Sequence, residues 1–166
     1  ENNFNFLAEF LTNSKCFLFS IQAFLKPPGF GLKTPGHQDN AYWCHEGNGG
    51  LTLWISIDKA GKNNAMMKYA SNTDKKIYDH KLSKNTPGSS LVIPDEILSN
   101  FSWHQPELNP GDIAVHNGLV VHYSEQNKSN LPRRGFLLNY RPLECKRDEK
   151  RYKEYLNNLE RIYGRK

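Results

Sequence analysis

The 166-residue sequence predicts a single, mainly β domain of the sandwich or jelly-roll type, with one helix near each end. Three observations lead to this prediction. Apolar and polar residues alternate over several short segments, turn residues such as Gly, Pro, Asn and Asp separate those segments, and helical apolar spacing is confined to the two ends. The length suits one domain with a proper core, so residues 1–166 are expected to form one unit.

The first helix is predicted from Phe4, Leu7, Phe10 and Leu11, which recur at near-helical spacing, and it is expected to end around Asn13. A long polar connection is expected over residues 70–98, where Pro87-Gly88 and Pro94 oppose regular structure. Alternation and β-branched or aromatic content predict the strands, which are residues 16–25, 51–58, 65–69, 101–104, 113–116, 119–123 and 134–140.

The clearest of these strands is residues 51–58, whose two faces differ in chemistry. Leu51, Leu53 and Ile55 share one face, which we expect to be core. Thr52 and Trp54 lie on the other face, where a functional site is a better expectation.

The C-terminal segment 146–166 is predicted to be a basic helix. Apolar and aromatic residues between 152 and 162 recur at helical offsets, and Gly164 is placed as a stop. The segment holds eight Lys and Arg against four Asp and Glu, which accounts for +4 of the net charge of +5. We expect its apolar stripe to pack on the sheet and its basic face to meet water, so a nucleic-acid partner is not expected.

Composition also bounds the cellular context. No apolar run approaches the roughly 20 residues that a membrane span needs, and the N-terminus lacks the pattern of a secretory signal. Cys16, Cys44 and Cys145 form no Cys-x-x-Cys pair, which argues against a disulfide framework and a zinc ribbon. A soluble cytoplasmic protein with reduced thiols is the expectation; the sequence says nothing of its oligomeric state.

The stretch GHQDNAYW, residues 36–43, carries the first candidate chemistry. If the chain is extended there, His37 and Asp39 point to the same face and can converge on one ion. Residues 37–39 also fit an ordinary strand that binds no metal. Oxygen-activating iron(II) sites combine two imidazoles and one carboxylate on one face of the metal, so a second histidine must come from elsewhere. Tyr42 and Trp43 fit either a substrate-facing wall or aromatic packing.

His122 is the best candidate for the second histidine. It lies in the segment 110–142, where a turn leads into a strand, then a histidine, then a basic pair that opens the next strand. His116 has the same parity as His122 only if no turn intervenes, and Asn117-Gly118 predicts a turn between them. We therefore interpret His116 as structural.

The basic pair offers one guanidinium to the same site. Arg133 follows His122 by eleven residues, a spacing that allows a hairpin return and a bidentate grip on a carboxylate. Only one of Arg133 and Arg134 can face inward. Parity favours Arg133, because Arg134 shares its face with apolar residues typical of core, namely Phe136, Leu138 and Tyr140.

Residues 15–58 and 110–142 together resemble the phytanoyl-CoA dioxygenase family of iron(II)/2-oxoglutarate oxygenases. The matching stretches are FLKPPG at 24–29, HQDNAYW at 37–43, LTLWISID at 51–58 and PGDIAVHNGLVVHYSEQNKSNLPRRG at 110–135. The resemblance implies a double-stranded β-helix (jelly roll, cupin-like), with His37, Asp39 and His122 as iron ligands. It implies that Arg133 binds the distal carboxylate of 2-oxoglutarate, and that the pocket of this co-substrate is lined by Trp54, Ser124 and Gln22.

The resemblance implies a dioxygenase that consumes dioxygen and 2-oxoglutarate, releases succinate and CO2, and hydroxylates a small organic or lipid-like substrate. Halogenating relatives replace the metal carboxylate by a small residue, so Asp39 favours hydroxylation. Family members are usually longer at the N-terminus, and we expect the chain to lack strands or a lid that precede residue 1 there. Ala70-Ser71-Asn72 stands where the family often carries Gly-Ser-His. One alternative is a noncatalytic jelly-roll binding module that retains a metal site. The other is a nucleic-acid-binding protein, an interpretation based on the basic C-terminal segment alone.

Overall fold

The computed structural model describes residues 3–83 and 89–164, and these form a mainly antiparallel β structure. Residues 84–88, which include Pro87-Gly88, and residues 165–166 of the predicted C-terminal helix lie outside the described ranges. In chain order the elements are α1 (Asn3–Thr12), β1 (Cys16–Lys26), β2 (Thr34–His37), α2 (Asn40–Trp43), β3 (Leu51–Ser56), a 3-10 turn (Lys62–Asn64), β4 (Lys68–Ala70), β5 (Lys81–Leu82), β6 (Leu91–Val92), α3 (Asp95–Leu98), β7 (Trp103–His104), β8 (Ile113–Asn117), β9 (His122–Ser124), β10 (Arg133–Pro142) and α4 (Glu149–Tyr163).

Two four-stranded antiparallel sheets make up the fold. The first sheet, called the major sheet, has the strand order β1-β10-β3-β8, and the second, called the minor sheet, has the order β2-β9-β4-β7. Strands β5 and β6 form a separate small hairpin. Neighbouring strands in each sheet come from distant parts of the sequence, as in a jelly roll, so the predicted fold class is confirmed.

The two faces of the major sheet differ as predicted from the alternation in β3. Leu51 and Leu53 lie on the face of the major sheet that α1 covers. They are buried there with Leu138 and Tyr140 of β10 and Ala8 of α1, in one hydrophobic core. The opposite face carries buried polar and aromatic side chains, namely Thr52, Trp54, Ser56, Arg133 and Asn139. The inner face is therefore available for a site, because α1 covers the outer one.

Several strands are shorter than predicted, for local backbone reasons. The predicted strand 65–69 begins only at Lys68, because Ala65 follows the 3-10 turn with a φ of 61° and so cannot extend the chain. The predicted strand 119–123 begins at His122, because the turn after Asn117 continues through residue 120. The expected irregular connection over 70–98 carries the β5–β6 hairpin and α3.

The C-terminal helix α4 forms where it was predicted, but it packs differently. Asp148 caps its N-terminus by accepting a hydrogen bond from the Arg151 amide at 3.1 Å, and Gly164 ends it with a φ of 63°. The prediction that its apolar stripe packs on the sheet is wrong. None of its described residues is buried, and it contacts α2, where the Tyr155 and Tyr42 rings lie 5.9 Å apart.

No helix among the described residues is both long enough and apolar enough to cross a membrane. Cys16, Cys44 and Cys145 are all free thiols, the first two of them buried.

Candidate metal and co-substrate site

Three predicted ligands meet where the minor sheet faces the major sheet. His37 ends β2, His122 begins β9, and the two residues are paired directly across these strands. The candidate ligand atoms of His37, Asp39 and His122 all lie within 4.8 Å of one another. Asp39 Oδ1 is 3.7 Å from the Nε2 atom of each histidine, so the three groups point at a common position.

Asp39 reaches this position by a different route from the one that the extended-chain argument assumed. Its backbone is helical, with φ −57° and ψ −39°, and it is the residue from which α2 begins. The chain thus changes from strand to helix between His37 and Asp39. The two side chains converge because of this turn, not because of alternation along a strand.

The backbone orients both imidazoles for metal binding. His37 Nδ1 lies 2.8 Å from the Pro35 carbonyl oxygen, and His122 Nδ1 lies 3.0 Å from that of Val120. Since a carbonyl can only accept, each Nδ1 carries the hydrogen and each Nε2 keeps its lone pair. Burial, and then the neighbouring His37, lower the pKa of His122 to about 3, so this ring is neutral at physiological pH.

The second carboxylate oxygen of Asp39 is held from the major sheet. Thr52 Oγ1 donates to Asp39 Oδ2 at 2.9 Å, and His116 Nε2 lies 3.2 Å from the same atom. Burial acts to raise the pKa of Asp39, but His122, His116 and His37 outweigh it and hold this pKa well below its usual range. His116 thus has a place in the site that its sequence context did not show. It reaches Asp39 through the pairing of β8 with β3, where its register partner is Thr52, and the sequence gives no local signal for this pairing.

Gln38, between the two ligands, anchors the motif to the surrounding chain. Its fully buried amide donates to the Lys76 carbonyl oxygen at 2.8 Å and to that of Leu119, and it accepts from the Tyr78 amide at 2.8 Å. His80 Nε2 accepts from the backbone amide of Gln38 at 3.2 Å. Burial lowers the pKa of His80 to about 4, in keeping with a neutral acceptor.

Arg133 lies inside the barrel, fully buried. Its Nη2 donates to Ser124 Oγ at 3.4 Å, and its guanidinium stacks between the rings of Phe24 and Trp54, at 5.3 and 5.5 Å from their centroids. Among the described residues, Nε and Nη1 have no hydrogen-bond partner. Burial lowers the pKa of Arg133 to about 10, which leaves it protonated at neutral pH.

Arg134 points the other way, as strand parity predicted. Its side chain is half exposed and binds Asp58 through Nε at 2.9 Å and Nη2 at 2.7 Å, while its backbone amide donates to the same carboxylate at 2.9 Å. The site therefore contains one arginine of the pair, and that arginine is Arg133.

Gly135 explains how Trp54 fits below Arg133. A Cβ atom at residue 135 would lie 2.5 Å from Cζ2 of Trp54 and 2.9 Å from the Ile55 carbonyl oxygen. Only glycine lets the indole pass this close to β10. Trp54 is fully buried and supports the guanidinium of Arg133 from beneath.

A cavity of about 720 Å³ opens onto the three ligands. Ser124 lies in its wall, buried next to Arg133, whereas Gln22 is exposed, at the mouth, and donates to Ser20 Oγ at 3.3 Å. Tyr42 and Trp43 form another part of the wall. The Tyr42 ring lies 5.8 Å from that of His37, and its hydroxyl donates to the Leu91 carbonyl oxygen at 2.8 Å.

Two imidazoles and one carboxylate in a jelly roll, with a buried arginine beside them, form the donor set that non-haem iron oxygenases use. A model of the phytanoyl-CoA dioxygenase family (PhyH) matches residues 5–135. The chain belongs to this family.

Curated relatives agree with this assignment, and a solved structure agrees with the fold. The chain is 26% identical over 134 residues to 2-aminoethylphosphonate dioxygenase from uncultured bacterium HF130_AEPn_1, covering 80% of the chain and 48% of the relative. It is 29% identical over 126 residues to a probable alpha-ketoglutarate-dependent hypophosphite dioxygenase from Stutzerimonas stutzeri, covering 69% of the chain and 41% of the relative. It thus spans less than half the length of these relatives. The structure of EvdO2 from Micromonospora carbonacea var. aurantiaca complexed with 2-oxoglutarate superposes with a TM-score of 0.72 at 24% identity, covering 86% of this chain and 59% of that one.

Proposed function

We propose that this chain is an iron(II)- and 2-oxoglutarate-dependent dioxygenase that hydroxylates a small organic molecule. The observation that carries the proposal is the convergence of His37, Asp39 and His122, whose ligand atoms lie within 4.8 Å of one another, beside a buried arginine with free donors. The family assignment and the similarity to 2-oxoglutarate-dependent relatives support it.

The three candidate ligands fit iron(II). Two imidazoles present their Nε2 lone pairs, and Asp39 presents Oδ1 while Thr52 and His116 occupy Oδ2. A set of two nitrogens and one carboxylate oxygen suits iron(II) and leaves coordination positions for other molecules. When bound, iron would supply the activation of dioxygen, coupled to the conversion of 2-oxoglutarate to succinate and CO2.

The interior beside the ligands fits a dicarboxylate co-substrate. Arg133 holds a positive charge in a dry interior and has two nitrogens, Nε and Nη1, without partners among the described residues. Such a group is costly to bury unless an anion completes its hydrogen bonds. One carboxylate of 2-oxoglutarate would do so, with Ser124 as a neighbouring hydroxyl, while the keto acid end lies toward the metal ligands.

The remaining cavity wall indicates where a substrate would lie. Phe19, Tyr42 and Trp43 form an aromatic wall, with the Phe19 and Trp43 rings 5.2 Å apart in an edge-to-face contact. Because the Tyr42 hydroxyl is already used on Leu91, this wall offers ring faces more than polar groups. A small organic or lipid-like substrate fits such a wall, and Gln22 at the mouth could add one polar contact.

The proposal is tested by anaerobic visible absorption of the purified protein with iron(II), before and after addition of 2-oxoglutarate. A metal-to-ligand charge-transfer band that needs both additions is expected for the wild type and for His104→Ala, which changes an exposed histidine. The band should be lost in His122→Ala. Absence of the band from folded wild-type protein that still binds a divalent metal would support the alternative of a noncatalytic binding module.

A further inference from the structure

We propose that Tyr69 is a further co-substrate-binding residue, whose phenolic hydroxyl donates a hydrogen bond to the distal carboxylate of 2-oxoglutarate beside Arg133. This inference rests on the proposed function. It adds a donor from β4 to Arg133, which the major sheet supplies, and to the neighbouring hydroxyl of Ser124 on β9.

Strand register places Tyr69 next to the candidate metal ligands. It lies on β4, where it is the direct partner of the candidate ligand His122 on β9. Its ring centroid is 5.2 Å from that of His116 and 6.0 Å from that of His122. On its other side the ring packs against the cluster that contains Trp54, the residue beneath Arg133. Tyr69 thus bridges the metal ligands and the arginine.

The hydroxyl of Tyr69 is buried and has no hydrogen-bond partner among the described residues. Burial raises the pKa of Tyr69, and Asp39 raises it further although Arg133 acts against this, so the phenol keeps its proton and is a donor. Tyr69 also acts on the pKa of Arg133, which means that the two groups lie within electrostatic reach of each other.

Most of the unpaired groups in this part of the interior are donors, and the exception is His116 Nδ1, which is an acceptor. Arg133 contributes Nε and Nη1, Tyr69 contributes its hydroxyl, and Trp54 contributes Nε1. Lys26, the neighbouring cation, already donates two of its three ammonium hydrogens to the carbonyl oxygens of Leu32 and Glu125. These four donors outnumber the one unpaired acceptor, and a carboxylate, whose two oxygens can accept several hydrogen bonds, is complementary to them.

Tyr69→Phe tests this assignment because it removes only the hydroxyl. Its affinity for 2-oxoglutarate is measured by titrating the charge-transfer band of the anaerobic iron(II) protein. We expect the dissociation constant for 2-oxoglutarate to be ~10-fold higher than in the wild type, because losing a hydrogen bond to a charged group usually costs about this much affinity. Tyr140→Phe is the matched control. Its hydroxyl is also buried and unpartnered, but it lies in the core under α1, on the outer face of the major sheet, so the affinity should not change.

A second ligand identifies which carboxylate Tyr69 binds. 2-Oxopentanoate keeps the keto acid end of 2-oxoglutarate but lacks the distal carboxylate, so Tyr69→Phe and wild type should bind it equally. If the variant lost affinity for both ligands by the same factor, the hydroxyl would act at the metal end and the assignment would be overturned.

Folding and the parent proposal are checked in the same series. Tyr69→Phe removes an unsatisfied buried hydroxyl, so the ligand-free variant should melt at or above the wild-type temperature. Weaker binding together with an undiminished melting temperature supports the assignment, and equal binding of 2-oxoglutarate by Tyr69→Phe and wild type refutes it. Failure of the wild type itself to bind 2-oxoglutarate would instead refute the proposed function.

Discussion

The imidazole of His116 lies on the far side of the Asp39 carboxylate from the two candidate histidine ligands. Its Nε2 is 3.2 Å from Oδ2, whereas His37 and His122 both face Oδ1. Because an ionised carboxylate only accepts hydrogen bonds, His116 Nε2 carries its hydrogen and is a supporting donor instead of a ligand. Thr52 donates to the same oxygen at 2.9 Å, so two residues of the major sheet orient one ligand.

We expect His116→Ala to weaken metal binding by about 10-fold, because residues that orient metal ligands typically contribute this much to affinity. Thr52 would still hold Asp39, which limits the loss. The dissociation constant for Mn²⁺, measured by electron paramagnetic resonance, gives the effect. His45→Ala is the matched control, since His45 is also a buried imidazole but bonds the Gly49 carbonyl oxygen at 2.7 Å. Equal losses in both variants would contradict an orienting role for His116.

Arg133→Ala should weaken 2-oxoglutarate binding at least ~100-fold, since it leaves a buried carboxylate without its charged partner. Arg134→Ala provides a neighbouring comparison. It breaks the ion pair with Asp58 on the outer face and should leave the affinity within a factor of about two, because exposed pairs contribute little. Isothermal titration under anaerobic conditions measures both. A larger effect at residue 134 than at residue 133 would mean that the arginines are assigned the wrong way round.

Gly135→Ala should damage the co-substrate site without touching any polar group. The new methyl would meet Trp54 at 2.5 Å, and the displaced indole would disturb the guanidinium that stacks on it. Overpacking of this kind costs about 1–3 kcal/mol of stability. We expect a lower melting temperature together with weaker 2-oxoglutarate binding. Gly61→Ala is the control, because its Cβ would meet only the flexible Glu107 side chain, at 3.3 Å. Unchanged 2-oxoglutarate binding by Gly135→Ala would show that Trp54 does not support Arg133.

His80 should contribute to a loss of stability in acid. Burial lowers its pKa to about 4, from an ordinary 6.5, so the unfolded chain takes up a proton near pH 6.5 that the folded chain does not accept until about pH 4. The free energy of unfolding therefore falls as the pH is lowered through this window, by up to about 1.4 kcal/mol per pH unit for one proton. Urea unfolding of metal-free protein between pH 5 and 7 should show a shallower pH dependence for His80→Gln than for wild type. His104→Gln, an exposed change, should retain the wild-type slope.

Apart from the site residues that the family resemblance implied, the residues predicted from sequence are those with short-range signals. Alternation in β3 separated the core face, with Leu51 and Leu53, from the inner face, with Trp54. Parity in β10 favoured Arg133 over Arg134, and the structure places Arg133 inside the barrel. The turn after Asn117 also formed as expected. In each case the pattern lies within a few neighbouring residues, so no knowledge of strand pairing was needed.

The residues that the sequence did not reveal depend on which strands are neighbours. His116 reaches Asp39 because β8 pairs with β3, and Tyr69 reaches the interior because β4 pairs with β9. These pairings join segments far apart in the chain, and nothing local specifies them. The start of β4 was also misplaced, because the left-handed conformation of Ala65 has no strong signal in an alanine. The packing partner of α4 was mispredicted for the same reason, because its contact with α2 depends on the tertiary structure and not on a pattern within the helix.

The ion pair between Asp58 and Arg134 leaves the register of β10 to be set by a neighbouring residue. Two adjacent arginines make β10 ambiguous, because a slip by one residue would turn Arg134 inward and Arg133 outward. Asp58 receives three hydrogen bonds from Arg134, one of them from the backbone amide, and after such a slip Arg133 would offer it the same groups. The ion pair therefore accepts either arginine, and the glycine beside the pair distinguishes the registers: only the native register places Gly135, which has no Cβ, next to the Trp54 indole.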